Sequence, residues 1–147
     1  MLTKDFSEFL GLLNKNKVEY LVIGGYAVAY HGYPRYTGDL DIWFNPEEDN
    51  VNKILVSLSE FGFESLNIHQ NDLLKPGNII QLGYPPIRID LLNNPDGISF
   101  SDCFPRRVEQ ILENGLTINY ISLSDLITNK KASGRYRDLD DLENLSK

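Results

Sequence analysis

Two aspartates, Asp39 and Asp41, stand one residue apart at the head of an otherwise apolar run, Leu40 to Phe44, that reads as a buried strand. Side chains alternate across a strand, so both carboxylates face one side, with roughly 6 to 7 Å between their Cα atoms. Leu40 and Ile42 then turn to the core. Carboxylates are costly to half-bury unless a cation or hydrogen-bond donors compensate them. The chain must therefore set one face of this strand in a core and the other against a cation or hydrogen-bond donors, of which a divalent metal is the expectation. Asp90 has the same setting, between Ile89 and Leu91. A strand carrying it beside the first would bring a third carboxylate to that face. Hydrated Mg²⁺ or Mn²⁺ resolves the repulsion, because hard cations take carboxylate oxygens and keep positions for substrate phosphates. Two such ions, about 3.5 to 4 Å apart, can activate an attacking hydroxyl and stabilise a departing pyrophosphate.

The remaining pattern mixes helices and strands. Leu2, Phe6, Phe9, Leu10 and Leu13 recur at helical spacing, with Thr3 or Asp5 as cap. Val18 to Ile23 reads as a buried strand closed by Gly24-Gly25, and Ala27 to Tyr30 as a small helix stopped before Pro34. Pro46, Glu47, Glu48 and Asp49 open a helix whose buried stripe is Val51, Ile54, Leu55, Leu58 and Phe61, ended by Gly62. Ile79 to Leu82 and Ile87 to Leu92 read as strands joined through Gly83 to Pro86. Val108 to Leu112 and Leu116 to Ile121 flank Asn114-Gly115, a strong hairpin signal. Helices are expected from Asp125 onward and over about Arg137 to Leu145. Neither repeat nor linker interrupts the chain, so one α+β domain over 1–147 is the economical expectation.

Backbone N–H groups at Gly24-Gly25, entering a helix, can approach an anion closely, which makes this pair a candidate phosphate contact. Arg35 and Thr37 precede the aspartate strand where its open face should lie, and are candidate nucleotide contacts. A net charge of −7 argues against sequence-independent grip on nucleic acid. One cysteine excludes an internal disulfide, and with two histidines a closed zinc site of sulfur and imidazole ligands is hard to assemble. No apolar run approaches the roughly 20 residues of a bilayer span, and Met1 to Asp5 shows no leader pattern, so a cytoplasmic protein without membrane partners is expected. His31 reads as a satisfied helix-end residue. Tyr26, Tyr30, Tyr33 and Tyr36 read mostly as packing, with one ring able to stack on a base. Arg135, Arg137, Asp138, Asp140 and Asp141 alternate in sign and read first as surface pairs, with a role in fixing the terminal helix against the cleft as the secondary reading.

The order of strand, glycine turn, short helix, Asp-x-Asp strand and later strand aspartate resembles the nucleotidyltransferase superfamily sharing the polymerase β palm, in its small single-domain form. The resemblance is specific in Val22-Ile23-Gly24-Gly25, Arg35-Tyr36-Thr37-Gly38-Asp39-Leu40-Asp41-Ile42 and Arg88-Ile89-Asp90-Leu91. Leu126 to Lys130 and Gly134 to Leu142 look like the closing segment of the AbiEii-like bacterial branch. This resemblance implies a mixed central sheet flanked by helices, with Asp39 and Asp41 holding the metals and Asp90 completing the site as ligand or base. Gly24-Gly25 would hold the triphosphate and Lys130 would reach toward it. Two departures are visible: Gly25 replaces the family's usual serine, and Gly38 stands where relatives often carry lysine.

The implied activity is metal-dependent transfer of a nucleoside monophosphate from a triphosphate such as ATP to an acceptor hydroxyl of RNA, protein or a small molecule. Similarity extends to components of toxin–antitoxin and abortive-infection systems, and a partner protein or second copy could complete the cleft. The competing expectation is a nucleotide-binding or partner-binding module of the same fold without turnover.

Overall fold

The computed structural model describes residues 2–145. Helix α1 (Lys4–Lys15) starts where the Thr3 hydroxyl accepts from the Phe6 amide at 3.2 Å, and it buries Phe6, Phe9, Leu10 and Leu13. Its end turns back on itself, with the Val18 amide donating to Leu13 O, so strand β1 is confined to Tyr20–Ile23, shorter than the apolar run suggests. Helix α2 (Gly24–Tyr30) begins at the paired glycines themselves. They form its first turn and do not precede it. Strand β2 (Asp39–Phe44) follows, then helix α3 (Glu48–Glu60), which carries Glu48 and Asp49 in its first turn and buries Val51, Ile54 and Leu58.

Residues 62–78 lack a clear apolar period, and the structure fills them with a 3₁₀ turn (Glu64–Leu66) and helix α4 (Gln70–Leu74). Asn93, almost wholly buried, fastens this segment: its Nδ2 donates to Leu73 O at 2.8 Å and Lys75 O at 2.9 Å, and its Oδ1 accepts from the Gly77 amide at 3.0 Å. Such long-range amide contacts leave no local sequence signal. Strands β3 (Ile79–Tyr84) and β4 (Ile87–Leu92) come next, then a short helix α5 (Phe100–Cys103) continued by a 3₁₀ turn (Phe104–Arg106). Strands β5 (Val108–Ile111) and β6 (Thr117–Tyr120) form the hairpin expected around Asn114-Gly115. Helix α6 (Leu123–Ser133) is capped by Ser122, whose hydroxyl accepts from the Asp125 amide at 3.1 Å, and ends at left-handed Gly134; helix α7 (Tyr136–Leu145) closes the described chain.

The six strands make one mixed sheet in the order β3-β4-β2-β1-β6-β5. Strands β2 and β4 run parallel, as do β1 and β6, while β1 and β2 are antiparallel. The core gathers Phe6, Phe9 and Leu10 of α1, all of β1, and Leu40, Ile42, Trp43 and Phe44 of β2. This is the α+β fold the periodicity predicts. Among the described residues no helix is long and apolar enough to cross a membrane.

Candidate active site

Parallel pairing of β2 with β4 sets Asp39 opposite Arg88, Leu40 opposite Ile89 and Asp41 opposite Asp90. Residues in register share a face, and residues two apart share it too. Four side chains, Asp39, Asp41, Arg88 and Asp90, thus form a square patch, while Leu40, Ile42, Ile89 and Leu91 anchor the opposite face in the core. One carboxylate oxygen from each aspartate lies within 4.8 Å of one from each of the others. It is the one such cluster of three among the described residues.

The charges are unevenly compensated. Arg88 forks onto Asp90, with Nε donating to Oδ1 at 3.0 Å and Nη2 to Oδ2 at 2.8 Å, and Nη2 also reaches Asp39 Oδ2 at 3.4 Å. Asp41 lies at the diagonal corner. Burial, a hydrogen bond with Asp39 and the charges of Asp39 and Asp90 push its carboxyl up to about 8, against a lowering from Lys130. Burial raises Asp90 as well, with Arg88 working against it. An all-oxygen donor set with excess negative charge fits a hard divalent cation.

Ile23 pairs with Asp41, so the chain leaves β1 directly beside that carboxylate. Gly24 has φ +67°, and a Cβ built on it would overlap Asp41 Oδ2. A Cβ on Gly25 would lie 2.7 Å from the Cβ and Oγ1 of Thr37. A serine at position 25 would therefore require Thr37 to move. Thr37 Oγ1 donates to Asp39 O at 3.0 Å and holds the entry to β2.

A cleft of about 550 Å³ opens over this floor, and Gly24, Gly25, Arg35, Thr37, Asp39, Asp41, Asp90 and Lys130 all line it. Two of these residues are tied into the wall. Lys130, only 4% exposed, bridges Asp138 Oδ1 and Asp141 Oδ2 at 3.0 Å each. Arg35 forks onto Asp141 at 2.8 and 2.9 Å. Asp138 also accepts from Ser133 Oγ at 2.7 Å and Arg135 Nε at 2.9 Å. The alternating charges of the final helix are thus not all surface pairs: Asp138 and Asp141 are fully buried and fasten α7 to α6 and to the cleft. Charge alternation carries the Arg135–Asp138 pair, while the countercharges from Arg35 and Lys130 come from outside the run and so favour the secondary reading, a terminal helix fixed against the cleft.

The other sequence candidates fall mostly into packing. His31 Nε2 lies 2.8 Å from Ile121 O. Tyr26 meets Phe6 edge-on, Tyr30 stacks on Tyr120 at 4.2 Å, and Tyr33 donates to Asp140 at 3.0 Å. Tyr36 is the exposed ring of the four. Arg88 was missed from sequence as a site residue, and Arg135 and Arg137, read first as members of surface pairs, line the cleft. The alternation that links Asp39 to Asp41 also links Arg88 to Asp90, so Arg88 was findable; Arg135 and Arg137 enter the cleft only through the packing of α7.

Solved structures with this fold include the lincosamide antibiotic adenylyltransferase LnuA bound to lincomycin, 18% identical, covering 99% of this chain and 97% of that one at a TM-score of 0.58. ANT(2″)-Ia in complex with adenylyl-2″-tobramycin is 9% identical, covering 95% and 84% at 0.58. An antigenic nucleotidyltransferase-like protein from Paracoccidioides brasiliensis is 15% identical, covering 95% and 72% at 0.55. At these identities the likeness is one of fold. Comparison with curated proteins gives no match. The family model described as "Nucleotidyltransferase of unknown function (DUF6036)" matches residues 1–146, spanning the aspartate floor, the glycine turn and the α6–α7 wall. The chain belongs to that family, within the nucleotidyltransferase superfamily.

Proposed function

We propose that this chain, acting as one domain over 1–147, is a metal-dependent nucleotidyltransferase. It moves a nucleoside monophosphate from a nucleoside triphosphate to an acceptor hydroxyl and releases pyrophosphate. The observation that carries this reading is the cluster of Asp39, Asp41 and Asp90 oxygens within 4.8 Å of one another at the floor of a cleft.

Asp39 and Asp41 would hold Mg²⁺ or Mn²⁺, with Asp90 completing the set. When bound, such an ion supplies charge neutralisation for the attacking oxygen and the leaving phosphates. The chain supplies position. Gly24 and Gly25 let Asp41 and Thr37 pack close against the backbone, and their N–H groups, in the first turn of α2 at the cleft, would contact the triphosphate. Arg137, which has no ion-pair partner among the described residues, lines the cleft as an available cation. Arg35 and Lys130, committed to Asp141 and Asp138, add positive potential and hold the wall in place.

A small-molecule hydroxyl is the acceptor class this reading favours. Two proteins of the same fold carry lincomycin and an adenylylated tobramycin, and a net charge of −7 opposes a polyanionic acceptor. The test offers α-labelled ATP, GTP, CTP and UTP with Mg²⁺ to the protein together with lincosamides and aminoglycosides, bulk RNA or a bacterial lysate. Label on the small molecules is expected, and label on RNA or protein alone would replace the acceptor class. A partner protein, as in a toxin–antitoxin or abortive-infection pair, would appear as labelled or co-purified protein in the lysate arm. The second reading, a binding module without turnover, is favoured by the prior commitment of Arg35 and Lys130 to aspartates. Metal-dependent nucleotide binding without any labelled product would establish it.

A further inference from the structure

We propose that Arg88 is the second cation of the carboxylate floor, so that the nucleotide-free protein takes one divalent ion, at the Asp39–Asp41 edge, and Arg88 excludes another. The inference rests on the metal reading above and assigns Arg88 a positioning role within it.

The patch has four corners, and three are carboxylates. Arg88 holds the fourth, in register with Asp39 and two residues before Asp90 on the same strand face. Its guanidinium spans both neighbours: both oxygens of Asp90 at 2.8 and 3.0 Å, and Asp39 Oδ2 at 3.4 Å. The fork matches a planar carboxylate, and the group stays charged at every working pH. The contact is sheltered, with the Arg88 side chain 30% exposed and that of Asp90 8% exposed. Pinned there, Arg88 occupies the oxygens of Asp90 and reaches Asp39, so it competes with any second divalent ion that would draw on those carboxylates.

Charge leads to the same count. A bound cation holds all three carboxylates ionised, and against Arg88 they then carry a local excess of two negative charges, which one divalent ion neutralises. A second would leave the floor positive and meet direct repulsion from the guanidinium. Asp41 lies at the corner diagonal to Arg88 and makes no ion pair among the described residues, so the carboxylate oxygens left for a cation lie on the Asp39–Asp41 edge.

The test counts Mn²⁺ by electron paramagnetic resonance of the free ion, without nucleotide, for the whole chain and for Arg88→Met, with circular dichroism confirming the fold. One Mn²⁺ is expected in the unaltered protein. The variant should bind a second, at least about tenfold more tightly than any second ion in the unaltered chain. Two ions in the unaltered protein, or one ion of unchanged affinity in both, would overturn the role of Arg88 while leaving the metal reading intact. No ion in either would overturn both. Should the methionine variant fail to fold, Arg88→Lys keeps the charge and loses the fork. It should admit the second ion weakly, and a count and affinity identical to the unaltered protein would overturn the proposal.

Discussion

Asp41 and Asp90 face each other in register across two parallel strands, and the only guanidinium on that patch serves Asp90. The folded chain therefore holds Asp41 as a half-buried carboxyl among like charges, an arrangement that costs stability until a cation arrives.

From this follows a divergence between stability and activity. Asp41→Asn keeps the shape and removes a carboxyl whose ionisation burial and its acidic neighbours oppose, so the metal-free variant should be more stable at pH 7 by about 1 kcal/mol or more. Transfer activity should fall by about 10³-fold or more, because the lost group acts on charge developing in the transition state. Urea unfolding in a chelating buffer and labelled-NTP turnover check the two halves. A variant that is less stable and fully active contradicts both.

Gly24 is set by close approach as well as by backbone. Gly24→Ala places a methyl group against the Asp41 carboxylate at a φ of +67°. A loss of about 1–3 kcal/mol is expected, with weaker Mn²⁺ binding because Asp41 is displaced. Chemical denaturation and a Mn²⁺ titration measure it. Gly25→Ser, which restores the residue usual in the superfamily, should also destabilise, since its Cβ meets Thr37.

Lys130 bridges two fully buried carboxylates, whose other countercharges are Arg135 and Arg35. Lys130→Met should cost about 3–5 kcal/mol, the range seen when one partner of a buried pair is removed. Loosening of α7 should accompany it, visible as faster amide hydrogen exchange over residues 136–145. Exchange unchanged there would show that Arg35 and Arg135 suffice to hold the helix.

Acid should attack the same junction. Burial alone would raise Asp138, but hydrogen bonds from Arg135, Ser133 and Lys130 outweigh it and hold its carboxyl well below the usual range. Burial likewise opposes, and Arg35 and Lys130 overcome, in lowering Asp141. A carboxylate with a depressed folded-state value contributes stability above its unfolded value, near about 3.9, and loses it as pH falls toward the folded value. Stability should therefore drop as pH falls below about 4. Asp138→Asn should be less stable at pH 7 and show a shallower acid loss, measured by thermal midpoints from pH 7 to pH 3.

Much of the fold was legible because its elements are amphipathic or buried in regular ways. Phe6, Phe9, Leu10 and Leu13 mark α1, and Asn114-Gly115 marks the last hairpin, through rules acting within a few residues. Residues 62–78 were not legible, since buried Asn93 organises that segment from a distance. The candidate aspartates were found by strand alternation, yet Arg88 escaped although it obeys the same rule.

The sequence by itself determined that Asp39 and Asp41 share a strand face, that Asp90 sits in a matching strand, and that glycines precede the first pair. Local periodicity suffices for each of these. Only the tertiary structure decided that β2 and β4 pair in parallel with Asp41 opposite Asp90, that Arg88 takes the fourth corner, and that Lys130 is buried between Asp138 and Asp141. Strand order and ion-pair partners depend on contacts between distant segments, and those are selected by the packing of the whole core.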